Sequence, residues 1–197
     1  MNYSEHNKEM KNPFFPKEPV IFMKPDSALL KNGNPFFIPD FSHDVQYEAE
    51  LVVRICRLGK NIAEKFAGRY YDAVTIGIDF TARDLQQELR ERGYPWEICK
   101  GFDNSAALGE FVSVENFPDM QNIAFSLKKS GKTVQEGNSA DMIFGINAII
   151  SYVSRFFTLK IGDLIFTGTP FGVGKVESND RLEGYIQDKK LLDFNIK

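Results

Sequence analysis

The sequence contains few of the residues that build disulfide frameworks, zinc sites or nucleic-acid surfaces. Its 197 residues include two cysteines, two histidines and one tryptophan. Cys56 and Cys99 form no Cys-x-x-Cys pair, so neither a zinc cluster nor a disulfide framework is predicted. We expect both to be buried free thiols, as suits the cytoplasm. The formal net charge is −3, with Lys and Arg interspersed among the acids, which argues against a nucleic-acid partner.

Long apolar runs are also missing. None approaches the roughly 18 residues that a membrane-spanning helix requires, and the polar first ten residues lack the apolar core of a signal peptide. Hydrophobic residues make up 43% of the chain and charged residues 26%, which is typical of a globular protein. We therefore predict a cytoplasmic protein without membrane contact, folded as a single domain over residues 1–197.

Hydrophobic patterning predicts an α+β chain in which strands outnumber helices. Strands are predicted at residues 20–23, 36–38, 48–56, 73–80, 107–112, 123–129, 163–167, 182–186 and 191–196. A hairpin turn is predicted at Lys129-Ser-Gly-Lys132. Helices are predicted at 81–92, where Thr81 and Asp84 have the spacing of a capping box and Gly93 follows the last turn, and at 139–157.

Two glutamates stand two residues apart in the predicted strand 48–56. Residues at this spacing share one face of a strand, with Cα atoms roughly 6.5–7 Å apart. The carboxylates of Glu48 and Glu50 therefore repel each other unless a cation or water separates them. Because Mg²⁺ prefers carboxylate oxygens, the pair is either a metal site or an ordinary solvent-facing surface. Asp79, at the end of strand 73–80, is either a third carboxylate or an acid that stabilises the next helix.

Five other polar residues have a functional and an ordinary structural interpretation. One helix face carries Arg83, Gln86, Gln87 and Arg90. It either binds a substrate carboxylate, for which the planar guanidinium is well shaped, or is simply solvated. Lys100 lies among apolar neighbours and is either held at a site or extended towards water.

His6 and Glu9 stand three residues apart in a predicted helical turn, so they can hydrogen-bond. The pair is either a general base with its orienting carboxylate or an ordinary surface pair. His43 is assigned no role. The glycine-rich turn Gly168–Gly174 is not a phosphate-binding loop, because the spacing is wrong and Val176 stands where Ser or Thr is needed. Its backbone N–H groups can instead bind a carboxylate.

The order and spacing of these features resemble the fumarylacetoacetate hydrolase family over the whole chain. The resemblance rests on Asn2-Tyr3-Ser-Glu-His6, Phe22-Met-Lys24-Pro25, Glu48-Ala-Glu50-Leu, Gly77-Ile-Asp79-Phe-Thr-Ala-Arg83-Asp84-Leu-Gln86, Lys100-Gly-Phe-Asp and Thr167-Gly-Thr169-Pro170-Phe-Gly-Val-Gly174. The short chain, the Trp96 segment and Met142-Ile-Phe144 are most similar to the acylpyruvase and oxaloacetate decarboxylase branch.

The resemblance implies a β-rich fold with mixed sheets rolled around a metal site, usually in a homodimer. It implies that Mg²⁺ or Mn²⁺ is bound by Glu48, Glu50 and Asp79. The implied catalytic residues are His6, Glu9 and Lys100, the first two forming a dyad on a mobile lid over residues 1–20. The implied substrate contacts are Lys24, Arg83, Gln86 and Thr169. Family members usually begin with a short apolar strand before the Asn-Tyr segment, and we expect this strand to be missing here.

The implied activity is cleavage of the C3–C4 bond of small 2,4-dioxo acids (acylpyruvates), or decarboxylation of oxaloacetate. Both reactions leave a pyruvate enolate, whose charge a divalent cation stabilises. One alternative within the family is a 2-hydroxyhepta-2,4-diene-1,7-dioate isomerase or an oxaloacetate tautomerase. Another is a non-catalytic protein that binds the metal or the 2-keto acid.

Overall fold

Short strands provide most of the regular structure. The computed structural model describes residues 2–9, 16–31 and 33–197. The strands are β1 Leu29–Leu30, β2 Val45–Tyr47, β3 Ala49–Ile55, β4 Tyr71–Asp79, β5 Thr81–Ala82, β6 Ala106–Leu108, β7 Val112–Ser113, β8 Ala124–Lys129, β9 Lys132–Asn138, β10 Leu164–Phe166, β11 Gly174–Lys175, β12 Arg181–Ile186 and β13 Lys189–Asn195. The helices are α1 Ser4–Glu9, α2 Glu64–Ala67, α3 Arg83–Arg92, α4 Glu97–Lys100 and α5 Ile146–Ser154.

A mixed sheet forms the centre of the fold. Its strand order is β1-β6-β4-β3-β10, with β7 also paired to β4. The pairing of β1 with β6 is parallel, whereas β3 and β4 form a long antiparallel pair. Residues on both faces of β3 are buried, including Leu51, Val52 and Val53, so both faces of this strand are covered.

Two smaller sheets complete the strand framework of the described residues, with strand orders β11-β2-β5 and β13-β12-β8-β9. The second packs closely on the central sheet, because a Cβ atom at Gly184 of β12 would lie only 2.9 Å from Ile76 Cγ2 of β4. Large apolar side chains such as Leu51, Leu127 and Leu182 are fully buried in the resulting core. Burial of each such side chain contributes about 1.5–3 kcal/mol.

Two local predictions are confirmed. Ser130 and Gly131 both have positive φ, 49° and 82°, between β8 and β9. This is the backbone of a type I′ turn, whose twist suits a two-residue hairpin. Gly93 ends α3 with φ 66°, and its N–H donates to the carbonyls of Arg90 and Leu89.

The strand predicted at residues 20–23 is wrong. Val20 and Met23 are 50% and 61% exposed, and no strand pairing involves this segment in the described part of the chain. The apolar run suggested burial, but the next residue, Lys24, enters the acidic site described below and draws the segment across the protein surface. Phe22 packs there on Trp96, with ring centroids 6.1 Å apart.

The capping box predicted at Thr81 and Asp84 is also wrong. Thr81 belongs to β5, and α3 begins at Arg83 with no side-chain cap. The Thr81 hydroxyl accepts a hydrogen bond from the Lys100 ammonium instead. Asp84 accepts hydrogen bonds from the Ser42 hydroxyl and from the backbone N–H of Leu85. Burial acts to raise the pKa of Asp84, but these hydrogen bonds outweigh it and lower that pKa.

Other elements differ from prediction in their extent. The helix predicted at 139–157 is a 3₁₀ turn at Ser139–Asp141 followed by α5, because the backbone at Gly145 is extended. The strand predicted at 107–112 is divided into β6 and β7. The strand predicted at 36–38 is reduced to a single bridge between Phe36 and Ile196. Cys99 is a buried free thiol as predicted, whereas Cys56 is free but only half-buried.

Residues 1 and 10–15 of the predicted lid lie outside the described residues. Within the described ranges, no helix is both long enough and apolar enough to cross a membrane. Strand content, a mixed sheet and few helices agree with the predicted β-rich α+β class.

Candidate metal centre

Antiparallel pairing brings three carboxylates together at one end of the central sheet. Glu48 and Glu50 flank Ala49 at the start of β3, and Asp79 ends β4. The N–H of Asp79 donates to the carbonyl of Glu48 at 2.8 Å, which holds the two residues side by side. The three offer carboxylate oxygens within 4.8 Å of one another. This acidic trio is buried, with exposures of 5%, 5% and 1%, so the solvent-facing interpretation of Glu48 and Glu50 is wrong.

The Lys100 ammonium lies inside the site rather than at the surface. Its Nζ is 2.6 Å from Asp79 Oδ2, 2.9 Å from Glu48 Oε2 and 2.6 Å from Thr81 Oγ1. The lysine is 3% exposed and ends the short helix α4. All three polar contacts of this buried cation are therefore to groups that accept hydrogen bonds.

Two further cations reach the same carboxylates. Lys24 Nζ lies 2.7 Å from Asp79 Oδ1 and 3.0 Å from Ser105 Oγ, and it also donates to the carbonyl of Lys100. Burial lowers the pKa of Lys24, although the Asp79 carboxylate opposes this. Arg83 Nη2 lies 2.5 Å from Glu48 Oε1.

Glu50 is bound differently from the other two acids. Its Oε2 accepts a hydrogen bond of 2.6 Å from the backbone N–H of Gly168. No ion pair reaches Glu50 in the described ranges, whereas Glu48 and Asp79 each contact two cations. One buried carboxylate of the trio is therefore not neutralised by a neighbouring side chain.

This asymmetry separates the pKa values of the site. Burial raises the pKa of Glu50 to about 8, and the negative charges of Asp79 and Glu48 add to the effect. Burial also acts to raise the pKa of Glu48, but the cations of Lys100 and Arg83 outweigh it and hold that pKa well below its usual range. Burial acts to lower the pKa of Lys100, but the carboxylates of Asp79 and Glu48 reverse this and raise it.

The donor set fits a hard divalent cation. Mg²⁺ and Mn²⁺ prefer oxygen ligands, and three carboxylates at this spacing supply them. Such an ion would also supply the positive charge that Glu50 lacks. No zinc-type arrangement is offered, because the trio contains neither Cys nor His.

The predicted dyad lies on α1, near enough to the site for His6 and Glu48 to interact electrostatically. His6 Nδ1 is 3.2 Å from Glu9 Oε2, and His6 is buried. Burial lowers the pKa of His6, although the negative charge of Glu48 opposes this, so the ring is neutral near pH 7. A carboxylate can only accept, so Nδ1 carries the hydrogen and Nε2 keeps its lone pair.

Backbone contacts hold the described part of the lid on the protein. The Asn2 amide donates to the carbonyls of Phe144 and Thr167 at 2.9 and 2.8 Å and accepts from the Phe144 N–H at 2.8 Å. Glu9 accepts from the backbone N–H of Gly172 at 3.2 and 3.3 Å. The loop that holds Glu50 through Gly168 therefore also holds the dyad.

The Tyr3 side chain is buried beside the site. Its hydroxyl has no hydrogen-bond partner among the described residues. Burial raises the pKa of Tyr3, and the charge of Glu50 adds to this effect.

The predicted substrate residues fall into two groups. Arg83 donates to Gln86 Oε1 at 2.6 Å and to Gln46 Oε1 at 3.0 Å, so it reaches the trio already oriented. Gln87 and Arg90 are exposed, which means that only one half of the predicted polar helix face belongs to the site. Lys24, Arg83 and Gln86 lie beside the trio, and Thr169 lies on the loop that binds Glu50.

Sequence reasoning missed three residues of the site. Thr81 was predicted to cap a helix, whereas it binds Lys100. Gln46 and Gln135 were not predicted, because a single amide side chain in a strand forms no distinctive sequence pattern. Phe22, in the segment wrongly predicted as a buried strand, places its ring 5.1 Å from Lys100 Nζ. The sequence carries no signal for Gln135, which only the structure shows to be buried on its strand, between half-buried Val134 and exposed Glu136.

Fold and site together define a strand-rich protein with a buried acidic centre suited to a divalent cation. The sequence model of the protein family described as fumarylacetoacetate (FAA) hydrolase C-terminal matches residues 1–196 of this chain. The chain therefore belongs to the fumarylacetoacetate hydrolase family, as its motifs predicted.

Named relatives show the range of activities within this family. Oxaloacetate tautomerase FAHD1, mitochondrial, of Mus musculus is 40% identical over 196 residues, which cover 100% of this chain and 88% of that protein. A family member from Yersinia pestis CO92 has a similar structure, with a TM-score of 0.95, 41% identity and coverage of 100% of this chain and 89% of that one. Fumarylpyruvate hydrolase from Pseudomonas aeruginosa, in complex with Mn²⁺ and pyruvate, gives a TM-score of 0.91 at 36% identity, covering 99% and 85%.

A separate groove of about 710 Å³ lies away from the acidic trio. It is lined by β1, β6 and β13, and by Arg54 and Glu110. None of the predicted site residues lines it, so its volume does not bear on the chemistry of the trio.

Proposed function

We propose that this chain is a divalent-metal-dependent enzyme that stabilises the enolate form of small 2-keto acids. Its first candidate reaction is keto–enol tautomerisation of oxaloacetate. The observation that carries the proposal is the buried acidic trio, in which Glu50 has no cation beside it among the described residues. A divalent cation held there would act as a Lewis acid that stabilises negative charge on the keto oxygen. We propose Mg²⁺ or Mn²⁺ in this role.

The chain's own residues have separable tasks in this reaction. Neutral His6 removes a proton from C3 of the keto form through Nε2, and Glu9 holds the ring in the required tautomer. The proton returns to the C2 oxygen, so the product is the enol and no other reactant is consumed. Lys100 is the charged donor that contacts both Glu48 and Asp79, and it stabilises the same oxygen.

The remaining polar residues orient the substrate. Arg83, held by Gln86 and Gln46, offers a planar fork to a carboxylate. Oxaloacetate has a second carboxylate at C4, so we assign Arg83 and Gln86 to one carboxylate and Thr169 to the opposite side of the substrate.

Cleavage of the C3–C4 bond of acylpyruvates is the second candidate. One observation supports it: His6 is neutral and buried close enough to feel the charge of Glu48, so it can also accept a proton from a water molecule. The similar structure that holds Mn²⁺ and pyruvate belongs to an enzyme named as a hydrolase. Sequence reasoning placed cleavage first, and we propose tautomerisation first because a relative named as a tautomerase matches the chain over its full length.

The test is to follow three reactions of oxaloacetate and acetylpyruvate in parallel with purified protein, with Mg²⁺, with Mn²⁺ and with excess chelator. Decay of enol-oxaloacetate absorbance reports tautomerisation, and a coupled pyruvate assay reports cleavage of acetylpyruvate or decarboxylation of oxaloacetate. Metal-dependent acceleration of enol decay without pyruvate is the expected result. Stoichiometric pyruvate from acetylpyruvate would establish the second candidate. Metal binding without turnover on any of these substrates would leave a binding protein and overturn the proposal.

We also propose that the enzyme works as a homodimer, as the family resemblance implies, and sedimentation velocity tests this directly. The cytoplasmic location stays a prediction from the sequence.

A further inference from the structure

The Gln135 side chain connects the two halves of the site. It is 2% exposed on β9 and forms three hydrogen bonds. Its Oε1 accepts from the backbone N–H of Ala49 at 2.9 Å. Its Nε2 donates to Thr169 Oγ1 at 2.9 Å and to the carbonyl of Pro170 at 3.0 Å. One buried amide therefore binds both the strand that carries the acidic trio and the loop that carries Thr169.

The orientation of this amide is fixed by its backbone partners. The N–H of Ala49 can only donate and the carbonyl of Pro170 can only accept, so the oxygen and nitrogen of Gln135 cannot be exchanged. The third contact is then determined as well. Thr169 Oγ1 must be the acceptor of its hydrogen bond with Gln135.

This assignment decides what the Thr169 hydroxyl can do. Since it accepts from Gln135, its own hydrogen is directed to another group. The nearest protein acceptor in the described ranges is the carbonyl of Pro170 at 3.5 Å, a long contact to an oxygen that Gln135 already uses. The hydroxyl is therefore held as a donor, which is the role that an anionic ligand requires.

The other end of the amide bears on the acidic trio. Ala49 is the residue between Glu48 and Glu50, and its N–H is bound by a side chain rather than by the neighbouring strand. Gln135 thus fixes the backbone between two of the predicted metal ligands at the same time as it orients Thr169.

We propose that Gln135 is a positioning residue that presents the Thr169 hydroxyl to the substrate as a hydrogen-bond donor. The inference rests on the proposed function, since it takes the ligand to be the anion of a 2-keto acid. It adds a residue without contact to the ligand whose role is to set the direction of one hydrogen bond.

The variant that tests this is Gln135→Glu. A carboxylate keeps the acceptor for the Ala49 N–H but has no hydrogen to donate, so it would accept the Thr169 hydrogen and turn the hydroxyl away from the ligand. The probe is oxalate, a planar dianion that resembles a pyruvate enolate, added to Mn²⁺-loaded protein in a calorimeter. Loss of one hydrogen bond to a charged ligand is expected to weaken oxalate binding about tenfold or more.

A double-mutant cycle with Thr169→Val separates orientation from charge repulsion. In that background there is no hydroxyl to turn, so adding Gln135→Glu should change oxalate binding less than about twofold. The same variants should retain Mn²⁺ affinity, and their oxalate loss should appear in turnover as a raised KM for oxaloacetate. Gln121→Glu, an exposed change of the same kind, is the matched control and should bind oxalate like the wild type.

Equal losses on adding Gln135→Glu in both backgrounds would show simple repulsion and overturn the proposal. If Gln135→Glu does not fold, Thr169→Val alone is the test. Full oxalate binding by Thr169→Val would show that the Thr169 hydroxyl has no role in binding, and would overturn the proposal. Wild-type protein that binds Mn²⁺ and oxalate but gives an additive cycle would overturn this inference only. Wild-type protein that binds neither would overturn the proposed function as well.

Discussion

The backbone N–H of Gly168 donates to Glu50 Oε2 at 2.6 Å, so the carboxylate that no cation neutralises is attached to the loop that carries Thr169. Four residues further on, Gly172 donates to Glu9 of the dyad. A single loop therefore contacts a predicted metal ligand and the predicted general-base pair, and it includes a predicted substrate contact between them. A change in the charge of Glu50 should therefore affect both the metal ligands and the general-base pair that this loop contacts.

The first prediction concerns stability in the absence of metal. The pKa of Glu50 is raised from 4.5 to about 8 in the folded state. The folded protein therefore binds this proton more tightly than the unfolded chain does. The resulting stabilisation is complete below pH 4.5 and is lost as the pH rises through about 8. Urea unfolding in chelator should show the free energy of unfolding falling by a few kcal/mol across this window.

Glu50→Gln is the control, because a neutral amide removes the titration with little change in shape. Its stability should depend less on pH than that of the wild type over the same range. Parallel pH profiles for the two proteins would show that Glu50 is not the titrating group.

The second prediction concerns metal binding. Because Glu50 holds a proton near neutral pH and a metal ligand must be deprotonated, binding of Mn²⁺ at about pH 7 should release close to one proton. Titration calorimetry in two buffers of different ionisation enthalpy measures this number. Glu48→Gln should abolish binding and turnover together, whereas Glu136→Gln, an exposed change on β9, should alter neither. Full activity of Glu48→Gln in chelator would remove the metal assignment.

Much of this site was predictable because two of its ligands are close in sequence. Glu-x-Glu in a strand places both side chains on one face, and that part needs only the two-residue period. The position of Asp79 depends on the antiparallel register of β3 with β4, which spacing along the chain does not reveal. The role of Gln135 depends on contacts 86 and 34 residues away.

The predictions that failed did so for a shared physical reason. The apolar residues 20–23 and the hydroxyl of Thr81 have local patterns typical of a strand and a helix cap. In both places a lysine that enters the acidic trio determines the structure instead: Lys24 fixes the end of the segment, and Lys100 binds Thr81. Tertiary ion pairs overrode the local preferences there.

The third prediction concerns Lys100. Lys100→Met keeps much of the side-chain volume but leaves Glu48 and Asp79 without the cation that contacts both. Breaking a buried pair in this way should cost about 3–5 kcal/mol of metal-free stability. Saturating Mn²⁺ should recover part of the loss, since it restores positive charge to the same oxygens, while turnover stays low. Thermal unfolding with and without Mn²⁺ measures both effects, and a variant as stable as the wild type in chelator would contradict the buried ion pairs.

The fourth prediction separates a proton-transfer role of His6 from a role in holding the lid. Burial lowers the pKa of His6, so the base form persists below the usual value of 6.5 and is lost only at more acid pH. Any step that needs this base should keep its rate at and just below pH 6.5 and fall only at more acid pH, with the inflection absent in His6→Ala. Tautomerisation and acylpyruvate hydrolysis both require a proton to be removed, so His6→Ala should slow each about 10²–10⁴-fold. Decarboxylation of oxaloacetate releases CO₂ without a base and should be affected much less. Equal losses on all three reactions would mean that His6 supports the lid and not the proton transfer.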